Sequence, residues 1–436
     1  MRKTKEIFGD IDLITIILYL LLVFFGWINI YASMYNDDVY NSIININTKY
    51  GKQLIFIGAS IFIALIILIV DWKFFNSFAY IFYGISIILL ILVLIFGSTA
   101  GGAKSWFEVG NIKIQPSEFA KFTTALALSK ILSSSKKTFL SFKNQIANYT
   151  IILIPTLLIF LQNDLGTSLT FASFILVFFR EGLSGYVLLA VLGILLLSFL
   201  SIVINPYILS ITILLIIIFL YFRSSKRVRS FKISSILLIF SNLTIVLSSS
   251  LYHGLKIPSW IPLLGNNTYG LPPHQIERID VFIGKTIDPL GSGYNLLQSK
   301  IAIGSGGLFG KGFLNGTQTR FDFVPEQSTD FIFCTIAEQW GFIGSLLFIA
   351  IFTTLLIRII TLSERQKSKF CRVYGYSVSC ILFTHLVINI GMTIGLMPVA
   401  GIPLPFISAG GSSLISFTIL LFTFLNLNSY RKNILR

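Results

Sequence analysis

The stretch from Ile11 to Ser33 reads "IDLITIILYLLLVFFGWINIYAS" and contains no basic residue and a single acid, Asp12. An α-helix needs about 20 predominantly apolar residues to cross the hydrocarbon core of a bilayer. This run is long enough to do so. It is too long for the core of a signal peptide, and no convincing cleavage site follows it. We therefore predict that it forms a retained first membrane span.

The apolar character of this run extends along the whole chain of 436 residues. Hydrophobic residues make up 55% of the sequence and charged residues only 12%, whereas soluble domains carry about 25% charged residues. This composition predicts an all-α polytopic membrane protein, with a single membrane domain over residues 1–436.

Runs of similar character predict about twelve membrane spans. They cover residues 11–33, 53–70, 74–96, 115–132, 149–161, 165–179, 184–204, 208–222, 234–252, 330–357, 373–396 and 408–428. The runs 149–161 and 208–222 are shorter than a perpendicular span requires, and 149–179 is also compatible with one tight hairpin.

Basic residues occupy alternate loops, and this alternation gives the orientation. With the N-terminus in the cytoplasm, the basic side comprises Arg2, Lys3, Lys5, Lys130, Lys136, Lys137, Lys143, Arg223, Lys226, Arg227, Arg229, Lys232, Arg358, Arg365, Lys367, Lys369, Arg372, Arg431 and Lys432. Cytoplasmic loops are enriched in Lys and Arg. Both termini are therefore predicted to be cytoplasmic, and the loops predicted to face outward are 97–114, 162–164, 253–329 and 397–407. Since the net charge of +15 reflects this topology, we expect no nucleic-acid partner.

Cysteine and histidine are few and scattered. The chain has three of each: Cys334, Cys371, Cys380, His253, His274 and His385. This scatter predicts neither a disulfide framework nor a metal cluster.

Charged residues stand at the start of the span that follows loop 97–114. Pro116 suits the first helical position, which places Glu118 in the first turn and Lys121 beside it on the same face. The pair either neutralises itself so that the helix can enter lipid, or it forms a cationic site in the membrane, where ionisable groups are usually functional. We favour the second interpretation.

Further carboxylates occur near the predicted outer ends of later spans. Asp164 lies in the turn sequence "QND", so a turn-forming role and a functional role are equally open. Glu326, Asp330 and Glu338 recur at helical spacings, which suit glycosidase or metal chemistry and, equally, a structural role.

The largest outward loop contains the stretch "GKTIDPLGSGYNLLQSKIAIGSGGLFGKG" at residues 284–312, with eight glycines. Pro289 holds Asp288 extended, and an amphipathic helix is predicted at 294–303. The final glycines do not match a P-loop, but their N–H groups are predicted to form an anion-binding concavity near Lys311. We expect a re-entrant binding element.

The stretch "GLMPVAGIPLPFISAGGSS" at residues 395–413 contains three prolines among glycines. This pattern breaks a span, which a bilayer tolerates only where the backbone faces protein or a cavity. Taken alone, it also fits the discontinuous helix of a transporter.

Five segments together resemble the SEDS family of bacterial wall-building membrane proteins, which includes the RodA, FtsW and SpoVE types. They are "GAKSWFEVGNIKIQPSEFAK", "QNDLGTS", "DPLGSGYNLLQSKIAIGSGGLFGKGFLNGTQ", "VPEQSTDFIFCTIAEQWGFIG" and "GMTIGLMPVAGIPLPFISAGGSS". These segments are long, specific and ordered along the chain, and the resemblance covers most of residues 10–207 and 273–430. "DPLGSGYN" with "GKGFLNGTQ" is more similar to the elongation type than to the division type.

The resemblance implies a SEDS-type helical bundle and a peptidoglycan glycosyltransferase of the bacterial cytoplasmic membrane. The implied enzyme polymerises lipid II into glycan strands on the outer face of the membrane during cell elongation. Asp288 would be the catalytic carboxylate, with Glu118 and Lys121 in the same cavity. The expected substrate-binding residues are Trp106, Glu118, Lys121, Asp164, Lys300, Lys311, Arg320, Glu326 and Asp330.

The resemblance also implies partners. They are lipid II, the growing glycan strand, a class B penicillin-binding protein acting as transpeptidase, and other membrane proteins of the elongation complex. Mg²⁺ or Mn²⁺ is expected to bridge Asp288 to phosphate, and no organic cofactor is expected. A lipid II flippase and a non-catalytic scaffold for the transpeptidase are the alternatives.

The sequence departs from the family pattern in two ways. The family usually has ten spans, so residues 208–252 are expected to be an inserted transmembrane hairpin before an outer catalytic loop at 253–329. Ser328, Gln339 and Ala409 stand where many members have His, Glu and Tyr, which leaves local packing and substrate contacts open.

Overall fold

The structure is a computed structural model. It describes residues 11–35, 45–110, 112–134, 142–223, 239–250, 252, 255–256, 268–269, 271–285 and 293–431. The chain falls into two compact units, one formed by Met1–Gly182 with Asp288–Arg436 and the other by Leu183–Ile287. The expectation of a single domain stays a prediction.

The first unit is a helical bundle that carries a small sheet. Its elements are α1 (Leu13–Ser33), α2 (Lys49–Ile69), α3 (Trp72–Phe96), β1 (Ser98–Ala100), β2 (Ala103–Val109), β3 (Ile112–Ile114), α4 (Pro116–Ser134), α5 (Phe142–Leu161), α6 (Leu165–Phe171), α7 (Phe174–Arg180), α12 (Tyr294–Ser305), α13 (Thr317–Arg320), α14 (Ile332–Glu364), α15 (Lys369–Thr393) and α16 (Gly411–Ser429). Each apolar run predicted here forms helix, although 165–179 is divided into α6 and α7. The amphipathic helix predicted at 294–303 is confirmed as α12.

The described residues of the second unit form three apolar helices and one amphipathic helix. Its elements are α8 (Gly185–Val203), α9 (Pro206–Arg223), α10 (Ile239–Ser250), β4 (Leu255–Lys256), β5 (Thr268–Tyr269) and α11 (Pro273–Ile283). The hydroxyls of Ser201 and Ser248 lie 2.6 Å apart and join α8 to α10. The predicted hairpin 208–252 includes residues outside those described, and its origin as an insertion stays a prediction.

Length and composition show which of the described helices could cross a membrane. Seven described helices are long and apolar enough to cross a membrane, and they are α1, α2, α3, α8, α14, α15 and α16. Four shorter apolar helices lie at Gln145–Leu161, Leu165–Arg180, Pro206–Phe219 and Ile239–Ser250. The predicted all-α polytopic class is therefore confirmed.

A three-stranded antiparallel sheet in the order β1-β2-β3, which was not predicted from the sequence, occupies loop 97–114. Its turns use Gly101, Gly102 and Gly110, all with positive φ. Lys113 on β3 pairs with Glu108 on β2 at 2.7 Å. β1 and β3 have three residues each and are too short to show the alternating pattern that predicts a strand, and the seven residues of β2 do not alternate.

Helix α14 is broken at Gly341, whose φ of 66° and ψ of −163° are not helical. A break frees backbone N–H and C=O groups that are costly to bury without partners. Four hydrogen bonds with residues 307–312 satisfy them: Lys311 N–H to Glu338 O (3.0 Å), Gly312 N–H to Gln339 O (3.1 Å), Phe342 N–H to Gly307 O (2.9 Å) and Ile343 N–H to Leu308 O (3.1 Å). The broken helix therefore finds its partners within the protein.

Close backbone approach explains the glycines beside this break. A Cβ at Gly306 would overlap the carbonyl oxygen of Ala337, and a Cβ at Gly310 would overlap that of Gln339. The prediction that backbone N–H groups here form an anion-binding concavity is wrong for Lys311 and Gly312, because their N–H groups donate to carbonyls of α14. These donors hold the loop against the helix instead of binding an anion.

Two glycines near the end of α12 form a matched test. We expect Gly306→Ala to destabilise the protein by about 1–3 kcal/mol, the usual cost of overpacking. Gly304→Ala should be neutral or stabilising, because a Cβ there meets open space and Ala favours helix. Thermal unfolding of both purified variants measures the difference, and equal midpoints would contradict the close contact with Ala337.

Candidate functional site

A buried ion pair lies near the start of α4. Pro116 opens this helix as predicted and Glu118 falls in its first turn. The Lys121 ammonium lies 2.8 Å from Glu118 Oε1, and both side chains are only 2% exposed. Removing two charges from water costs several kcal/mol per ion, and their mutual attraction offsets this cost only with good geometry and further hydrogen bonds.

His385 on α15 supplies one of those bonds. Its Nε2 lies 2.9 Å from Lys121 Nζ, and its Nδ1 lies 3.1 Å from the carbonyl oxygen of Pro403. An ammonium group only donates, so Nε2 accepts and Nδ1 carries the proton that is donated to Pro403. The two contacts thus fix both the tautomer and the ring orientation.

Two residues of α16 complete the surroundings of the pair. The Ser416 hydroxyl donates to Glu118 Oε2 at 3.3 Å. The ring of Phe417 lies 4.6 Å from Lys121 Nζ and packs edge-on against His385 with centroids 4.9 Å apart. Glu118, His385 and the Phe417 ring therefore surround the ammonium, and the site is closed to solvent.

Asn389, one turn from His385 on α15, connects two other parts of the bundle. Its side-chain amide donates to the carbonyls of Asp330 and Ile402, at 2.8 Å each. His385 and Asn389 thus satisfy neighbouring carbonyls of the non-helical segment between α15 and α16. This arrangement meets the condition under which a broken span is tolerated in a bilayer.

Asp164 caps α6. Its Oδ1 accepts from the Thr167 N–H at 3.0 Å, and its Oδ2 accepts from the Gln115 side chain at 2.8 Å. Burial raises the pKa of the Asp164 carboxyl, while the hydrogen bonds from Thr167 oppose that rise. The turn-forming role is thus observed, and a substrate contact stays a prediction.

Glu338 on α14 is fully buried and accepts from the loop that precedes the helix. Lys311 Nζ lies 2.7 Å from its Oε1. The backbone N–H groups of Gln318 and Thr319 donate to the two carboxylate oxygens at 2.9 Å each. For this carboxylate the structural interpretation holds. Lys311 keeps 25% of its side chain exposed, and its substrate contact stays a prediction.

Glu326 and Asp330 lie just before α14. The exposed Glu326 accepts from the Thr329 hydroxyl at 2.9 Å and lies 3.9 Å from Lys49 Nζ. Asp330 contributes its backbone carbonyl to Asn389. No group of three or more His, Cys, Asp or Glu side chains suited to a metal ion occurs among the described residues.

The remaining predicted substrate residues lie on separate elements. Trp106 is on β2, Lys300 is on α12 and Arg320 ends α13. The Lys300 ammonium lies directly over Gly395, just past the C-terminus of α15, where a cation is favoured by the helix dipole. The guanidinium of Arg320 lies 5.9 Å from the centre of the Phe321 ring.

Asp288, the predicted catalytic carboxylate and metal ligand, lies outside the described residues. The described chain stops at Lys285 and resumes at Gly293. Its role and the bound Mg²⁺ or Mn²⁺ therefore stay predictions, and no step below depends on a metal.

The three residues that depart from the family pattern are Ser328, Gln339 and Ala409. The Ser328 hydroxyl accepts from Lys49 Nζ at 3.3 Å. Its carbonyl accepts from the Ala409 N–H at 2.8 Å, so two of the three positions are in direct contact. Gln339 is buried on α14 next to the break.

These features define a polytopic membrane protein. The backbone groups at its helix breaks and its buried charged side chains find hydrogen-bond partners within the protein. The sequence matches the FtsW/RodA/SpoVE family, described as cell cycle proteins, over two overlapping stretches, residues 12–232 and 194–433. The chain belongs to this family.

Relatives of known name match this chain over most of its length. A peptidoglycan glycosyltransferase RodA from Treponema pallidum is 32% identical over 422 residues, covering 93% of this chain and 94% of the relative. The peptidoglycan glycosyltransferase MrdB of Escherichia coli is 34% identical over 333 residues, which are 76% of this chain and 73% of the relative. The stage V sporulation protein E of Bacillus subtilis is 29% identical, covering 97% of this chain and 98% of that protein.

Solved structures share the fold. A chain from a peptidoglycan synthase complex that coordinates polymerization and crosslinking matches with a TM-score of 0.69 at 24% identity, covering 97% of this chain and 99% of that chain. The rod shape determining protein RodA of Thermus thermophilus matches with a TM-score of 0.61 at 22% identity, covering 97% and 98%.

The burial of the Glu118–Lys121 pair leads to a prediction about stability. Glu118→Ala leaves an ammonium without its counter-ion and should cost about 3–5 kcal/mol. The double variant Glu118→Gln/Lys121→Met removes both charges and should be more stable than Glu118→Ala or Lys121→Ala. Thermal unfolding in one detergent compares the four proteins, and single variants as stable as wild type would contradict a buried pair.

Proposed function

We propose that this chain, a peptidoglycan glycosyltransferase by family, polymerises lipid II on the outer face of the bacterial cytoplasmic membrane. The observation that carries the proposal is the match to the Treponema pallidum glycosyltransferase, which spans 93% of this chain. The buried charges of α4 and the buried imidazole of α15 support it, because ionisable groups inside a membrane protein usually serve a function.

The reaction joins two sugars. An acceptor hydroxyl oxygen attacks the anomeric carbon of the donor, a new carbon–oxygen bond forms, and the bond to the lipid pyrophosphate breaks. The pyrophosphate leaves with the bonding electrons. The hydroxyl proton passes to a carboxylate acting as general base, which we assign to Asp288 on the family resemblance.

Leaving-group stabilisation has to supply much of the rate. An ordinary Asp has a pKa of about 3.9 and is a weak base near neutral pH. The departing pyrophosphate gains negative charge, which fixed cations stabilise. Lys300 is exposed and Lys311 is partly exposed, so both can meet a phosphate directly. Lys121 is buried and acts through its field at low dielectric.

The partner we assign is a class B penicillin-binding protein, a transpeptidase that crosslinks the new strands, within the complex that elongates the cell. The solved complex that shares this fold coordinates polymerization with crosslinking, which supports a paired polymerase and crosslinking enzyme here.

We assign the cytoplasmic side to the ends of α7 and α14 and the start of α15, where two arginine–glutamate ion pairs lie. Arg180 at the end of α7 contacts Glu364 at the end of α14 at 2.6 Å. Arg372 near the start of α15 contacts Glu181 at 3.2 Å. These ends share one face of the unit, and the positive-inside rule places basic ends in the cytoplasm.

Labelling of introduced cysteines tests the orientation. Ser225→Cys, outside the described residues, lies in the basic loop after α9 and should resist an impermeant thiol reagent added to intact cells. Lys113→Cys, at an exposed position of β3, should react readily and serves as the control. Ready labelling of Ser225→Cys would overturn the predicted topology of the hairpin.

Asp288→Asn tests the chemistry. The amide keeps the size of the side chain but cannot accept the proton, so polymerisation should slow at least about a hundredfold, in line with the usual contribution of a general base. Glycan strands formed from lipid II by purified wild type and variant, each with the transpeptidase, provide the measurement. Folding and partner binding should be unchanged, and equal strand formation would contradict the assignment.

A further inference from the structure

We propose that His385 is a positioning residue for Lys121 and couples the ion pair to the proline-rich segment between α15 and α16. The proposal rests on the proposed function, in which Lys121 stabilises the leaving pyrophosphate. Nothing in the reaction above uses His385 directly. It is a fully buried titratable side chain whose two ring nitrogens both have partners.

The ring is held at three points. Nδ1 donates to the Pro403 carbonyl at 3.1 Å, Nε2 accepts from Lys121 at 2.9 Å, and the ring packs against Phe417 in a T-shaped contact. A rotation that breaks one nitrogen contact would break the other, because both lie in the ring plane. The imidazole therefore sets where the Lys121 ammonium rests.

Without this acceptor, Glu118 would be the single hydrogen-bonding partner that we find for Lys121 among the described residues. A four-carbon side chain held at one point keeps rotamer freedom. A displaced cation stabilises the developing charge less well, because the interaction between two charges weakens as their distance grows.

The same contact connects distant segments. Pro403 follows Ile402, whose carbonyl is held by Asn389, and Asn389 also holds the Asp330 carbonyl before α14. A shift of the proline-rich segment moves the Pro403 carbonyl, and the ring that donates to it must follow. The position of this segment is thereby transmitted to Lys121.

A purely structural role for His385 would be to satisfy the Pro403 carbonyl, with no bearing on Lys121. The two roles differ in whether the effect of losing His385 depends on Lys121. His385→Phe keeps a buried ring of similar size but no acceptor. His385→Gln keeps an amide donor for Pro403 and a carbonyl acceptor for Lys121.

The experiment is a double-mutant cycle in polymerisation of lipid II by the full chain with its transpeptidase, with rates expressed per folded protein. We expect His385→Phe to lower kcat about tenfold or more with KM nearly unchanged, and His385→Gln to stay within about threefold of wild type. In the Lys121→Met background, His385→Phe should cause no further loss. Additive losses, or equal losses for the Phe and Gln variants, would overturn the proposal.

A second measurement does not need activity. With His253 and His274 replaced by Gln, the ¹⁵N spectrum of the remaining imidazole should show the neutral tautomer with the proton on Nδ1. Lys121→Met should shift the Nε2 resonance, and an unchanged Nε2 resonance would overturn the contact. Wild type that forms no strands would instead contradict the proposed function and leave the spectral test intact.

Discussion

The structure depends on one constraint: a polar group placed inside an apolar bundle needs a partner from the protein itself. Helices meet this constraint for their own backbones, but this bundle also contains a helix broken at Gly341 and a proline-rich segment between two spans. The freed groups are costly to leave unpaired. Side chains and loops of the protein supply the partners.

Two regions meet the constraint in different ways. At Gly341 a glycine-rich loop presents its backbone to the backbone of α14, and Glu338 secures the same loop through Lys311 and two N–H groups. In the proline-rich segment, His385 and Asn389 hold adjacent carbonyls. His385 also contacts Lys121. One side chain therefore takes part both in the packing of the broken span and in the contacts of the buried cation.

The sequence predicted the helices and the Glu118–Lys121 pair because both depend on local spacing, although α4, predicted as a span at 115–132, is not among the described helices apolar enough to cross a membrane. Apolar run length determines a span, and residues three apart on a helix are neighbours. His385 escaped prediction because its partners, Lys121 and Pro403, are distant in sequence, and it was weighed only as a metal ligand. Its spacing of four from Asn389 in an apolar span was the available signal. The glycines of 304–312 were misjudged because glycine serves ligand approach and backbone approach equally well.

The central claim is that this chain forms glycan strands from lipid II. The most direct measurement incubates purified lipid II with the full chain and its transpeptidase, whose crosslinking is blocked by a β-lactam, and separates the products by length. The account predicts uncrosslinked strands of many disaccharide units. Lipid II that stays monomeric in this mixture, while the same protein moves it across vesicle membranes, would contradict the account and identify a flippase.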